Sequence, residues 1–486
     1  MKALFVIAAV LALFHAQAAD AAQTQALVYS TDFGSGVIGS VDLDPPRTGH
    51  SNRASVCADA ALRCHQGLLY VVERFGCDNI RILDPAANFA VVQQFSVGNG
   101  SNPQDIIVVS PTKAYVSRYE TAELWIVNPV TGVKTGEVSL AGFADADGIP
   151  EMAQMALRNG RLFVAVQRLD RDAFFTPTDS SQVVVIDAAT DLLVDADLVA
   201  PGVQGILLPF QNPVTEIVTD GNGDLLVGCT GFFGSADGGV VRLDPIALAV
   251  RGVEIDEAEL GGDLNDVVVG PGDRGFAVIS DASFNTLCVA YDRTDGTLDA
   301  PVFATSGFNL ADAEMNDRNE LWLSDRSPGG PGMRVFDAVT LQQLTQSPIG
   351  LGLPPQSLDF DDVRPVAVGD PPVGSRGVSV VALLGISPNP SFGEASVRVR
   401  VSGAAAQPAF EADPSGGEIR LVVHVATGRR VREIRRPVDG PGDYVLRWNG
   451  DDDNGRATAP GVYPFRVLFG GEQVTGRLVR GPRARL

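Results

Sequence analysis

Residues 114–129 read AYVSRYETAELWIVNP: a short apolar strand, a turn, a second apolar strand, then an Asx residue and a proline. The same unit recurs along the chain. It reads 26–30 with 41–44, 68–72 with 80–84, 114–117 with 124–128, and 162–166 with 183–187. Residues 225–228 with 240–244, 276–280 with 288–292, and 321–324 with 333–337 complete seven copies. The anchors Leu27, Leu69, Ala114, Leu162, Leu225, Phe276 and Leu321 are spaced 42, 45, 48, 63, 51 and 45 residues apart. Asp44, Asp84, Asn128, Asp187, Asp244, Asp292 and Asp337 fall at one place in the unit. A carboxylate or amide there can bond the backbone two residues on and close a tight turn.

A period of about 40–50 residues built from strands is the signature of propeller blades, each a small antiparallel sheet buried by its neighbours. The first copy has no upstream partner for its innermost strand. Residues 356–360, within Pro354-Pro355-Gln356-Ser357-Leu358-Asp359-Phe360, supply one from the far end and close the ring. The reading is therefore all-β, with a seven-bladed β-propeller over residues 26–362.

The stretch 98–115 (GNGSNPQDIIVVSPTKAY), the turn Asn128-Pro129-Val130-Thr131-Gly132 and the seven Asx turns resemble YVTN-type and NHL-type propeller repeats. The resemblance implies a scaffold whose members range from surface binding modules to lactonase-like enzymes.

Composition narrows function by exclusion. Across 486 residues there are 59 acidic and 37 basic side chains, a net charge of −22, which argues against a nucleic-acid partner. The acidity is uneven. From Val373 onward 16 Arg face 11 acids, while the rest carries 21 basic against 48 acidic residues. Lys2, the apolar run 3–14 and Ala16-Gln17-Ala18 read as an export signal over 1–18, too short to span a bilayer. A secreted, periplasmic or cell-surface location follows, with no transmembrane segment in the mature chain and a monomer expected.

Export favours disulfides. Cys57, Cys64 and Cys77 lie close in sequence. If residues 55–63 and 68–74 form a hairpin, Cys57 and Cys77 face each other; a zinc cluster with His65 is the weaker alternative. The chain has four histidines, His15, His50, His65 and His424, and no Ser-His-Asp or Cys-His set can be assembled from them.

Residues 363–377 are rich in Pro and Gly and read as a linker. Beyond it, 397–401, 419–425, 444–448 and 462–469 alternate as half-buried strands, which suits a β-sandwich over 378–486. Ser387-Pro388-Asn389-Pro390, Thr427-Gly428-Arg429-Arg430-Val431 and Trp448-Asn449-Gly450 through Gly461-Val462-Tyr463 resemble the Ig-like domain of flagellar hook-capping proteins and related C-terminal sorting domains. Val425 stands where that family often has Asp. The resemblance implies a terminal module for sorting or attachment.

Three motifs read as turns. Gly34-Ser35-Gly36-Val37-Ile38-Gly39 matches a dinucleotide fingerprint but is followed by a strand, not a helix. The runs 220–224 and 449–453 lack the glycine and terminal glutamate of a calcium loop. Two constellations remain. Asp105, Glu216, Asp266 and Asp312 share one register at the entry to innermost strands, with Ala60 and Ala153 in the other internal blades. Converging on the channel mouth, they could hold Ca²⁺; otherwise each caps its own strand entry. Separately, long loops on the fourth and fifth blades bring Asp145, Asp147 and Glu151 together with Phe174, Phe175, Phe210, Phe232 and Phe233. Aromatic anchors with a charged rim suit a recognition patch for a protein, glycan or small ligand. The leading expectation is a non-catalytic binding or surface protein. The alternative is a Ca²⁺-dependent, lactonase-like hydrolase working through the channel acids.

Overall fold

A computed structural model describes residues 23–361 except 174 and 179. Beyond these it describes 380–387, 391, 393–402, 418–425, 429–438, 442–453, 455–469 and 472–481. The signal 1–18, the linker 363–377, Phe174, and parts of the C-terminal motifs (Pro388, Asn389, Pro390, Thr427 and Gly428) lie outside the described residues. The chain divides into two compact units at residues 367/368.

Seven antiparallel sheets of three to five strands follow one another along residues 25–360 of the first unit, and a two-stranded sheet, Leu169–Asp170 with Thr176–Pro177, lies in a loop of the fourth. Each of the seven runs from an innermost to an outer strand. The sheet at 25–56 takes its innermost strand, Pro355–Phe360, from the end of the unit; it pairs antiparallel with Gln25–Thr31. The other innermost strands are Ala60–His65, Pro103–Ser110, Met152–Arg158, Val218–Thr219, Asp263–Val269 and Leu310–Met315. The unit is a β-propeller, and the sheets are numbered here as blades 1 to 7 in chain order.

The strand Arg161–Val166 shows why these sheets form. It reads RLFVAV, an apolar run without polar alternation, because both of its faces are buried. Leu162, Val164 and Val166 join a core shared with blade 3. Phe163 and Ala165 join a core shared with blade 5. The same division recurs between blades 1 and 2, 2 and 3, 5 and 6, and 6 and 7. Trp322 and Met333 of blade 7 then pack with Val28, Val41 and Phe360 of blade 1. Each fully buried large apolar side chain contributes about 1.5–3 kcal/mol. No blade can bury its own faces, so closure is what makes each sheet stable.

The Asx turns form as expected in six blades. Asp187 Oδ1 accepts from Ala189 N at 3.0 Å and Thr190 N at 2.9 Å, and Asp84, Asn128, Asp244, Asp292 and Asp337 act alike. Asp44 differs because Pro45 and Pro46 follow it and offer no N–H. Its carboxylate instead takes Arg318 of blade 7 at 2.7 Å.

Cys57 and Cys77 form a disulfide, with Cα atoms 6.6 Å apart. The hairpin expected at 55–63 is not what positions them. A strand ends at Val56 and the next begins at Ala60, so Cys57 lies in the link between blades 1 and 2. Cys64 makes no disulfide, and no group of His, Cys, Asp or Glu among the described residues is placed to hold a metal.

The second unit has two antiparallel sheets. One contains Val380–Ser387, Ala395–Ser402 and Gly442–Trp448; the other contains Arg430–Pro437, Glu418–His424, Gly461–Phe469 and Glu472–Arg480. Val397, Val399 and Trp448 of the first share one core with Leu421, Phe465 and Val467 of the second. Trp448 donates through Nε1 to the Asp451 carbonyl at 2.9 Å, and its ring lies 5.0 Å from that of Tyr463.

Candidate functional site: the propeller channel and the loop face

The channel acids come together, but not as one ligand set. Asp105 accepts Arg63 through both oxygens, at 2.8 and 2.9 Å, and the far side of the same guanidinium pairs with Glu216. Gln154 also accepts from Arg63, at 3.3 Å. The positive charge expected from a bound cation is therefore supplied by the chain itself. Burial alone would lower the Arg63 pKa; Asp105 and Glu216 outweigh it and hold the guanidinium well above its ordinary value.

The remaining acids perform a backbone task. Innermost strands carry bulges at 103/105, 152/155, 264/266 and 310/313. A bulge leaves N–H groups without a ladder partner. Asp105 takes its own neighbour Ile106 N at 2.7 Å and Met155 N of the next blade at 2.8 Å. Asp266 does the same with Val267 N and Ala313 N, at 2.8 and 3.0 Å. Asp312 accepts Leu358 N at 2.6 Å, and Asp359 accepts Phe360 N and Cys64 N at 2.7 and 2.6 Å. Four carboxylates thus bracket consecutive blades. Asp105 and Asp266 accept the next backbone N–H of their own strand entry, and Asp105, Asp266, Asp312 and Asp359 each accept one across the blade boundary.

The four acids of the Ca²⁺ expectation, Asp105, Glu216, Asp266 and Asp312, thus have partners within the chain: a guanidinium, backbone N–H groups and one another. The register differs from the expected one in two blades. Ala60 and Ala153 pack into interblade cores, while Arg63 and Gln154 reach the channel acids.

Arg63 acts on Asp105, Glu216 and Asp359, while Asp266, Asp312 and Glu314 act on one another and on Glu216. Burial pushes Asp266 and Asp359 up to about 7, and burial plus neighbouring carboxylates holds Asp312 and Glu314 well above the ordinary range. Burial also raises Glu216, against the pull of Arg63. Asp312 and Asp266 hydrogen-bond each other, which needs a proton on one of them. The Glu216 side chain still keeps 34% of its surface open, so water reaches it.

The loop face is built differently. In each antiparallel blade, the turn between the second and third strands and the link to the next blade emerge on one side. All seven exposed phenylalanines among the described residues lie in these connections. Phe33, Phe75 and Phe284 sit in second-to-third-strand turns of blades 1, 2 and 6. Phe175, Phe232 and Phe233 sit in the corresponding longer loops of blades 4 and 5, and Phe308 in the link from blade 6 to blade 7. Exposure runs from 46% at Phe233 to 75% at Phe75. Phe308 lies between Phe233 and Phe284, with ring centroids 6.0 and 5.9 Å away.

Local carboxylates hold these turns. Asp32 accepts Gly34 N and Ser35 N at 3.0 and 2.7 Å, and Asp281 accepts Ser283 N and Asn285 N at 2.8 Å each. Asp237 accepts Phe232 N at 2.8 Å. Phe33, Phe175 and Phe284 have φ of 64°, 58° and 61°. That left-handed region costs a non-glycine residue about 1–2 kcal/mol. The turns would form more easily with Asn or Gly at these positions.

The structure leaves some members of the expected patch exposed and buries others. Phe175, Phe232 and Phe233 face solvent. Phe210 does not; it packs against the core between blades 4 and 5. Glu151 is fully buried, accepting Leu169 N at 3.0 Å and Arg171 Nε at 2.8 Å; burial lifts its carboxyl to about 7. Asp145 accepts the Thr178 hydroxyl at 2.7 Å, and Asp147 lies 3.4 Å from Arg171, so both tie the link into blade 4 to that blade's own long loop. Phe33, Phe75, Phe284 and Phe308 were missed because their loops are short. Their common placement in turns was the available signal.

No family model and no curated protein matches the chain. Among solved structures, it is similar to PorZ of Porphyromonas gingivalis, described as an essential bacterial surface component of the type-IX secretion system. That match has 12% identity and a TM-score of 0.40, covering 91% of this chain and 63% of that one, less than two thirds of its length. A Lactobacillus plantarum protein matches at 14% identity and a TM-score of 0.49, over 70% of this chain and 99% of that one. A streptogramin B lyase matches at 11% and 0.41, over 62% and 91%. These likenesses concern fold alone. On the evidence of its own sheets, the chain is a β-propeller protein followed by a second all-β unit.

Proposed function

We propose that this chain is an exported, non-catalytic binding or cell-surface protein. Its seven blades form one rigid scaffold, and its loop face carries recognition, centred on the connections of blades 4 and 5. The second unit is an Ig-like module for sorting or attachment, a reading supported by the order of its Trp448, Gly450, Gly461 and Tyr463 motif.

The observation that carries the binding reading is the exposure of Phe175, Phe232 and Phe233 at 46–49%. Large apolar side chains grouped on a surface mark interaction sites more often than single exposed ones do. The channel offers less support for chemistry, because its carboxylates already have partners within the chain. No helix among the described residues is long and apolar enough to cross a membrane.

The test compares partner capture by the full mature chain and by its Phe175→Ser, Phe232→Ser variant. The expected outcome is loss of every specific partner at an unchanged melting temperature. Full retention of partners by the folded variant would overturn the proposal.

A further inference from the structure

The phenylalanines extend well beyond blades 4 and 5, and the charges beside them point to what they meet. The connections at this face carry exposed carboxylates at Asp32, Asp147, Asp172 and Asp237. Their arginines are already engaged. Arg74 pairs with Asp59 at 2.5 Å, and Arg171 with Glu120 and Glu151. Arg168 donates to the Ser180 carbonyl at 3.0 Å, and Arg326 to the carbonyls of Thr31 and Pro354 at 3.0 and 3.2 Å. Lys113 and Lys134, the lysines among the described residues, lie elsewhere. The face therefore presents apolar rings and negative charge, with its arginines held by carboxylates or backbone carbonyls of the chain.

Phenylalanine has no polar group with which to read a sugar or a polar headgroup. What a phenyl face accepts is another apolar group or a cation over its ring. Two of these rings already do so. The Arg326 guanidinium lies 4.7 Å from the Phe33 centroid, and that of Arg171 lies 5.6 Å from Phe175. Phe233, Phe284 and Phe308 form a cluster over which no cation among the described residues lies, and Phe284 holds its place in a backbone conformation that favours other residues.

Resting on the reading of this face as a recognition face, we infer that its ligand is a polypeptide segment carrying apolar and basic side chains together. The apolar side chains pack on the Phe233–Phe308–Phe284 cluster. The segment's Arg or Lys groups stack on the rings and meet the carboxylates around them. An anionic membrane surface is repelled by the same carboxylates.

The test uses the full mature chain and three labelled synthetic peptides, alternating Arg/Leu, Arg/Ser and Glu/Leu, followed by fluorescence anisotropy. The Arg/Leu peptide is expected to bind about tenfold or more tightly than either control, a difference of the size one or two anchor residues supply. Phe233→Ser, Phe284→Ser, Phe308→Ser in one chain should remove that advantage with the fold intact by circular dichroism. Val130→Ser, Ile246→Ser, Val339→Ser, on the opposite turns, should preserve it. Equal binding of Arg/Leu and Arg/Ser, or retention by the phenylalanine variant, overturns the inference. So does binding to phosphatidylcholine vesicles in place of the peptide. So does a wild-type dimer that the phenylalanine variant converts to a monomer, since a second copy then covers the face. If the peptides fail while Phe175→Ser, Phe232→Ser still abolishes partner capture, the ligand chemistry is wrong and the recognition face stands.

Discussion

The channel and the loop face of the propeller are both unusual for their residue types, and they differ in one respect. Asp105, Glu216, Asp266, Asp312 and Asp359 of the channel have partners inside the chain: Arg63, a backbone N–H or a neighbouring acid. The phenylalanines of the face remain open to solvent, and three of them occupy backbone conformations that oppose them. Buried polar groups that satisfy one another are explained by the fold. Exposed apolar groups held in strained turns are not, which directs attention from the channel to the rim.

The largest test of this contrast is Arg63→Met. It leaves Asp105 and Glu216 in the channel without their cation, and removing one partner of a buried pair costs about 3–5 kcal/mol. Urea denaturation should show that loss; a shift near zero would mean the guanidinium is not what holds the acids together.

The next test is pH. Asp266 and Asp359 have folded-state values near 7, and Asp312 and Glu314 stand well above the carboxylate range. A raised folded-state value means that the native state binds the proton more tightly. The contribution is present below the unfolded value near 4 and is lost as pH rises through about 7. Melting temperature should therefore fall between pH 5 and pH 8. A melting temperature unchanged over that interval would show the channel acids to be ordinary solvated carboxylates.

Glu314→Gln sharpens the same point with a smaller effect. It removes one charge from the acidic set and should raise the melting temperature at pH 8 by about 2–4 °C, the usual response to ~1 kcal/mol in a domain of moderate size. At pH 5 the gain should vanish.

The smallest effect belongs to the face. Phe284→Asn places a residue suited to the left-handed region in a turn already braced by Asp281. Stability should rise by about 0.5–1 kcal/mol while Arg/Leu peptide binding falls. A loss of stability would show that Phe284 packs for the fold and is not displayed for a partner.

The blades were legible in the sequence because their signals are local. Strand alternation, the run at 162–166 and the Asx turns each depend on a few adjacent residues, and the ring-closing strand at 356–360 carried the same pattern. The candidate sites were only partly legible. Asp105, Asp266 and Asp312 were found from register, but Arg63, Glu314 and Asp359 were not: Glu314 follows a bulge that shifts the register of its strand, and Arg63 and Asp359 lie away from the position used for the comparison. The blade 4 and 5 loops were found from their length. Within them, nothing local separates Phe210, which packs inward, from Phe232, which stays outside.

The sequence by itself determined the all-β class, the seven strand-turn-strand units, the positions of their turns and the division of charge along the chain. These follow from short-range periodicity and composition. Tertiary structure alone decided which acids share a guanidinium, which carboxylates bracket neighbouring blades and which phenylalanines remain exposed. Those outcomes depend on ring closure, which sets side chains from distant blades around one axis and leaves the turn residues on a face that no other blade can cover.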